Sequence, residues 1–350
     1  MATPSQQTTA MRGSRGRQSI RDVAALAGVS VGTVSNVLNR PELVSRSTRE
    51  RVNAAIGKLG FVRNGAARAL RVGESRVVGA LVLDIANPYF TDVARGMEDR
   101  LDADGRLLML GSSDSDVERA GRQLSALREQ DLHGLVVTPI GPLSELSTLR
   151  GGGTPIVLLD RDDPERLFCS VSVDGVTGGR LAGEHLLEGG HRRIAFLNGP
   201  HTTQACLDRR TGLRQACQQA DLDPDDVIVE ITVRQLNSAN GEAAATEIPQ
   251  SHPDVTAIAC INDLVALGAL RALAEQGVSV PEDIAVIGYD DVDFAASLAT
   301  PLSTIRQPRY EIGRAAAQLL LDEATEGVTH VHQRLQFQPE LVVRASSRAS

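Results

Sequence analysis

The 350-residue chain has no tryptophan, three tyrosines and four cysteines. Cys169, Cys206, Cys217 and Cys260 show no CxxC or other metal spacing, so they read as buried thiols of a reducing cytoplasm. No run of about 18 apolar residues occurs, which excludes a membrane-spanning helix. The opening MATPSQQTTAMRGSRGRQ is polar, with arginines towards its end and no apolar core of a secretion signal. A soluble, cytoplasmic protein is expected. A nucleotide loop is also missing: GGRLAG at 178–183 lacks the GxGxxG spacing, and no nucleophile–base pair stands out, so no enzyme is expected. THVHQ sets His330 and His332 on one face at strand period. Two histidines without a third ligand define no metal site, and neither metal nor cofactor is expected.

What is present is enough apolar residue, 42%, for two or three domains with real cores. The net charge of -8 hides an asymmetry. Residues 1–75 hold 12 Lys or Arg against 4 Asp or Glu, a net of +8 that leaves -16 for the remainder. A basic head on an acidic body implies that an anionic polymer meets the head alone, because Lys and Arg neutralising phosphates supply the sequence-independent part of DNA affinity.

The head carries helix punctuation. Ser19 and Asp22 fit a capping box, followed by the apolar face Val23, Ala24, Leu26 and Ala27. Gly28 suits a left-handed C-cap, Val29 plugs the gap, and Ser30 caps a second short helix that turns Val34, Val37 and Leu38 inward. A capping box at Ser47 to Glu50 opens a third helix burying Val52, Ala55, Ile56 and Leu59. The result is a helix-turn-helix, whose second helix enters the major groove. Val31 offers apolar contact to a thymine methyl, Gly32 permits close approach, and Asn36 pairs with adenine or reaches phosphate. Ser30, Thr33 and Ser35 suit phosphate contacts.

The body alternates short apolar runs with amphipathic helices from Val77 onward. VVGALVLD, RLLMLGSS, GLVVTPI, PIVLLDR, RIAFLNG, DVIVE, AIACIND and IAVIGYDD suit strands buried on both faces of parallel sheets. Two doubly wound α/β lobes follow. Ligands of such sheets bind beyond the carboxyl ends of the strands. The residues there are Asp84, Asn87, Asp114, Asp160, Arg161, Asn198, Asn262, Asp263 and Asp290, with Tyr89 and Phe90 nearby. They suit a small polyhydroxylated ligand, or else they cap helices.

DVAALAGVSVGTVSNVLNRPELVSRSTRERVNAAIGKLGFVRNGAARAL resembles the DNA-binding domain of the lactose/galactose repressor (LacI/GalR) family over nearly fifty residues. The resemblance implies that Val31, Gly32 and Asn36 read bases; many relatives carry arginine where Asn36 stands. It also implies that Asn64 to Leu70 is a hinge helix. There, Leu70 from each subunit wedges into the minor groove beside Ala67, with Asn64 at the start of the segment and Arg68 and Arg71 on phosphate. The body is similar to the sugar-binding core shared by that family and the periplasmic ribose-type binding proteins. Asn87, Tyr89 and Phe90 match its NPxF segment, Asp160 and Arg161 its DR pair, and Arg209 its RxxG segment. Asn262 matches its ND pair, Asp290 its GYDD segment and Gln307 its IxQ segment. Leu236 stands where an aromatic often stacks, so Tyr89 and Phe90 are expected to form the apolar platform.

The expected organisation is a disordered basic tail over 1–17, a helix-turn-helix domain over 18–63 and a hinge helix and linker over 64–76. The core over 77–345 divides into lobe one (77–173 and 308–336) and lobe two (174–307 and 337–345), with a tail over 346–350. RASSRAS after Val343 holds no leucine heptad, which favours a dimer over a tetramer. The expected function is a homodimeric transcription repressor that binds double-stranded, pseudo-palindromic operator DNA and responds to a sugar or sugar derivative, with no membrane partner.

Overall fold

The computed structural model describes residues 18–61, 75–144, 146 and 153–347. The expected tail over 1–17 and the hinge residues Asn64, Ala67, Arg68 and Leu70 lie outside them. The chain forms two compact units, residues 1–73 and 74–350.

In the first unit, α1 (Ile20–Ala27) starts with the expected reciprocal cap. The Asp22 amide donates to Ser19 Oγ at 3.4 Å, while the Ser19 amide donates to the Asp22 carboxylate at 2.7 Å. Gly28, at φ 64, supplies the left-handed turn that an L side chain resists. Ser30 caps α2 (Val31–Asn39) by accepting from the Thr33 amide at 3.0 Å. The third helix, α3 (Arg46–Leu59), begins earlier than expected because Ser45, not Ser47, accepts the capping bond from Thr48. Val23, Ala24, Ala27, Val34, Val37, Val52 and Ala55 form the buried core. Leu26 is not part of it, being 46% exposed, since its position on the helix falls off the face shared by residues 23, 24 and 27.

The second unit holds two six-stranded sheets. One contains β1 (Val77–Val82), β2 (Leu107–Ser112), β3 (Gly134–Val137), β4 (Ile156–Leu159), β5 (Cys169–Val173) and β11 (Arg334–Phe337). Its order is β11-β5-β4-β3-β1-β2, and every pairing is parallel. The other contains β6 (Ile194–Asn198), β7 (Ile228–Thr232), β8 (Ala257–Cys260), β9 (Ala285–Asp290), β10 (Ser303–Arg306) and β12 (Glu340–Val342). Its order is β12-β10-β9-β8-β6-β7, with β12 alone antiparallel. Helices α4 (Pro88–Asp102), α5 (Val117–Arg128) and α10 (Arg309–Glu326) flank the first sheet. Helices α6 (Gly175–Glu188), α7 (Gln204–Gln219), α8 (Ser238–Ser251) and α9 (Asp263–Glu275) flank the second.

The chain passes between the lobes after Val173, after Arg306 and between Phe337 and Glu340. Phe337 pairs with Val173 in the first sheet, one residue beyond the expected boundary. Ser346 and Ser347 are buried and are not a tail. The Ser346 hydroxyl donates to the Val286 carbonyl at 2.6 Å and accepts from the Ser303 amide at 2.9 Å, tying this segment to lobe two. The central strands are buried on both faces as their apolar runs require. The edge strands β2 and β7 are not: Leu107, Met109 and Leu110 of β2 are exposed, and β7 is only half-buried. Among the described residues no helix is long and apolar enough to cross a membrane.

Candidate functional site

On α2 the buried Val34 and Val37 fix which face remains outside. Val31, Gly32 and Asn36 are exposed, with Thr33 and Ser35 half-buried beside them. Ser30 Oγ also lies 2.9 Å from Thr33 Oγ1, and Asn39 donates to the Ser35 carbonyl at 2.8 Å. Two hydroxyls therefore stand at the amino end of a helix whose Thr33 amide is already capped. Val31, Gly32 and Asn36 leave the outer face open to a groove, while the hydroxyls beside them serve the helix cap.

The cleft in the second unit is built where strands end. Asp160 follows β4 and Asp290 ends β9, and both have positive φ, 54 and 117. That backbone is disfavoured for non-glycine residues and tolerated best by Asp and Asn. It turns each carboxylate off its sheet into the cleft. Asn87 caps α4, accepting from the Tyr89 amide at 3.0 Å, and its amide nitrogen lies 3.4 Å from Asp290 Oδ2. Gln307 donates to Asp290 Oδ1 at 2.7 Å. Arg209 donates to the Ile261 carbonyl, lies 4.0 Å from Asp290 Oδ1, and stacks 3.5 Å above the Tyr289 ring. Tyr89 donates its phenol to both oxygens of Asp160, at 2.9 and 3.1 Å.

Burial pushes the Asp160 carboxyl up to about 6, against the pull of the Tyr89 hydrogen bond and the Arg209 charge and with the push of Asp290. Burial also raises Asp290, with Arg209 and the Gln307 and Asn87 amides opposing it. Asp263, at 0% exposure, is raised by burial and by the Asp290 charge. It accepts from the Thr304 hydroxyl at 2.7 Å and the Val292 amide at 2.9 Å, so it braces β9 and β10 beneath the cleft.

Two cavities open around this web. The first, about 160 Å³, is lined in part by Asp160, Asp162, Ser172, Arg209, Tyr289 and Gln307. The second, about 200 Å³, is lined in part by Asp84, Asn87, Phe90, Asp114, Leu236 and Asn262. Asp162 Oδ1, Ser172 Oγ and Arg209 Nε are buried without a hydrogen-bond partner, and all three residues line the first cavity. Buried polar atoms left unsatisfied cost about 1–3 kcal/mol each, which a ligand bearing hydroxyls relieves. Both spaces are smaller than the ~300–1,000 Å³ of a drug-sized ligand site.

Residues 19–64 match the family model of bacterial regulatory proteins, lacI family, and residues 184–347 match the periplasmic binding protein-like domain. The ribose operon repressor of Bacillus subtilis (strain 168) is 38% identical over 302 residues, covering 86% of this chain and 90% of that protein. The chain belongs to the lacI family. Its fold agrees with the solved lac repressor dimer bound to operator and an anti-inducer at a TM-score of 0.78 and 28% identity, covering 95% and 99% of the two chains. A lacI-family regulator from Enterococcus faecium with bound ribose aligns at a TM-score of 0.71 and 29% identity, covering 78% and 99%. As a lacI-family member the chain is a DNA-binding transcription regulator of the repressor type, governed by a small molecule.

Within that lacI-family frame the cleft gathers most of the residues expected from the sequence, but unequally. Asp160, Arg209 and Gln307 line the first cavity, while Asn87, Phe90, Leu236 and Asn262 line the second. Asp290 and Tyr89 join the two groups through the bonds above. Asn262 both caps α9 at the Val265 amide, 2.8 Å, and donates to the Leu236 carbonyl, 3.0 Å. Capping and site residence thus coincide at Asn87 and Asn262 rather than competing. Arg161 is half-buried and lines neither cavity. The expected platform differs too. Tyr89 is buried in the lobe-one core with its ring edge-on to Phe90, 4.9 Å between centroids, so Phe90 alone of the pair faces a cavity. Tyr289, next to Asp290 in GYDD, was not singled out from the sequence. It fits because Gly178 leaves no Cβ to meet its phenol.

Proposed function

We propose that this lacI-family repressor senses a ribose-class pentose in the cleft and reads its operator through the exposed face of α2. The observation that carries the effector reading is a web in which buried Asp290, Asn87 and Gln307 meet half-buried Asp160 and Arg209, flanked by polar atoms that lack partners. Two carboxylates accept from sugar hydroxyls, and the guanidinium and amides donate to them. These groups bond to one another across the cleft, Asn87 from lobe one to Asp290 from lobe two. A sugar that replaces those bonds with its own hydroxyls changes how the lobes meet. The likeness to a ribose operon repressor and to a ribose-bound regulator supports the same class. Asn262 and Leu236 border the second cavity, where a slightly larger sugar extends.

The partner arrangement is a homodimer. The apolar residues Leu107, Met109 and Leu110 on the edge strand β2 are exposed, and a second copy covers such an edge. Operator and effector binding are then linked, since each ligand shifts the assembly only by its differential affinity for two arrangements. The hinge role of Asn64 to Leu70 completes this reading, with Leu70 at the centre of a palindrome.

The test is thermal unfolding of the full chain with D-ribose, a hexose and cellobiose at equal concentration, and chemical analysis of each sugar afterwards. Ribose should raise the melting temperature most, by the mass-action effect of a ligand on the native state, and be recovered unchanged. A larger shift with the disaccharide contradicts the pentose reading, and conversion of any sugar contradicts a purely regulatory protein.

A further inference from the structure

His330 and His332, set aside in the sequence for want of a third ligand, are not alone in the fold. The parallel pairing of β11 with β5 brings the segment before β11 against Cys169, the first residue of β5. The last turns of α10 bring Glu323 to the same place. One ligand atom from each of Cys169, Glu323, His330 and His332 lies within 4.8 Å of all the others. Cys169 Sγ is 3.1 Å from His330 Nε2 and 3.7 Å from His332 Nδ1. The other nitrogen of His330 meets Glu326 Oε2 at 2.8 Å. Cys169 is fully buried and the other three residues are half-buried.

We propose that Cys169, His330, His332 and Glu323 form a structural site for a zinc-class divalent cation at the edge of the lobe-one sheet. One thiolate, two imidazoles and one carboxylate is a donor set that suits tetrahedral zinc. Bond lengths of about 2.0–2.3 Å place tetrahedral ligand atoms about 3.5 Å apart, so the cluster closes on an ion by side-chain movement of about an ångström. Glu326 does what a carboxylate behind a ligating histidine does elsewhere: it fixes which ring nitrogen is left for the metal and strengthens it as a donor. Four protein ligands leave no open position, so the ion ties strands and helix together and performs no chemistry. Only the thiolate binds, so the Cys169 proton passes to solvent when the ion arrives.

The site lies at the start of β5, the opposite end of the strand from the crossover at Val173 and the cleft. It is therefore separate from the effector residues. It also joins α10 to the chain that enters β11, the strand leading into the crossover between Phe337 and Glu340.

The experiment uses the full chain, stripped with a chelator and titrated with cobalt(II), then zinc. One cobalt per chain should bind with a thiolate-to-metal charge-transfer band and the strong visible absorption of tetrahedral geometry, and zinc should abolish both. Cys169→Ser should remove the charge-transfer band, while Cys260→Ser leaves it intact. His332→Ala, at a half-buried position, should weaken binding at least 100-fold, and Glu326→Gln about 10–100-fold. Each variant's fold is checked by its far-ultraviolet dichroism. No stoichiometric cobalt binding by the wild type, weak octahedral spectra without a thiolate band, or a band that survives Cys169→Ser overturns the proposal.

Discussion

The head and the cleft do their work with opposite kinds of residue. On α2 the residues proposed to read bases, Val31, Gly32 and Asn36, are exposed, and the fold is held by a separate buried set centred on Val34 and Val37. In the cleft Asp290 is buried and Asp160 half-buried, both on positive-φ backbone, and their carboxylates hold neighbouring side chains by hydrogen bonds. Specificity for DNA is thus separable from stability, whereas specificity for the effector is not. A surface face can change its contacts at little cost to the fold, but a buried carboxylate that loses its partners leaves them unpaired.

The largest break in that comparison comes from Asp290→Ala. It removes the acceptor shared by Asn87, Gln307 and Arg209, and effector affinity measured by calorimetry should fall by about 100-fold or more. Operator affinity should no longer respond to added effector. Next comes Gly212→Ala on α7. Its Cβ would collide with the Val176 carbonyl of α6, and overpacking of that kind costs about 1–3 kcal/mol. The core unfolding transition in urea should move to lower concentration while the isolated affinity of the head for DNA is kept.

Acidification sharpens the comparison further, because its two effects have opposite signs. Asp160 titrates at about 6 in the fold, above the ordinary carboxyl of an unfolded chain at ~3.9. The native state therefore binds this proton more readily, and the contribution of this group to stability falls as pH rises from about 4 to 6. Lowering pH from 7 to 5 should stabilise the ligand-free core through Asp160. The same change should weaken sugar binding up to about tenfold, as the acceptor becomes a carboxylic acid. A calorimetric series across that range reads both, and a smaller effect of each kind in Asp160→Asn assigns the share of Asp160 beside that of Asp290, which burial also raises. Smallest is Ser30→Ala, which deletes the α2 cap and should cost the head about 1 kcal/mol with no movement of the core transition.

These effects also explain what was legible in the sequence. The head's caps were readable because each bond spans three residues, as from Ser19 to Asp22. The start of α3 was misplaced by two residues because Ser45 and Ser47 both precede a helical pattern, and only the folded backbone chooses between them. The strand ends carrying Asp160, Asn262 and Asp290 were readable because polar residues follow apolar runs. Apolar runs do not report how many neighbours a strand has, so the exposure of β2 and β7 was not foreseen. The burial of Tyr89 in the lobe-one core depends on tertiary packing and the division of the cleft into two cavities on how the lobes meet, neither of which a local pattern encodes. Cys169 and Glu323 joined the two histidines through a strand pairing and a helix end that sequence spacing does not express.

The measurement that bears most directly on the account is operator affinity with and without D-ribose, for the wild type and Asp290→Ala, on genomic fragments selected by the protein itself. The account predicts that ribose shifts the wild-type dissociation constant by about 5–150-fold, the usual range of coupling between two sites. It predicts no ribose-dependent shift in Asp290→Ala. A wild type indifferent to ribose, or a variant that still responds, contradicts it.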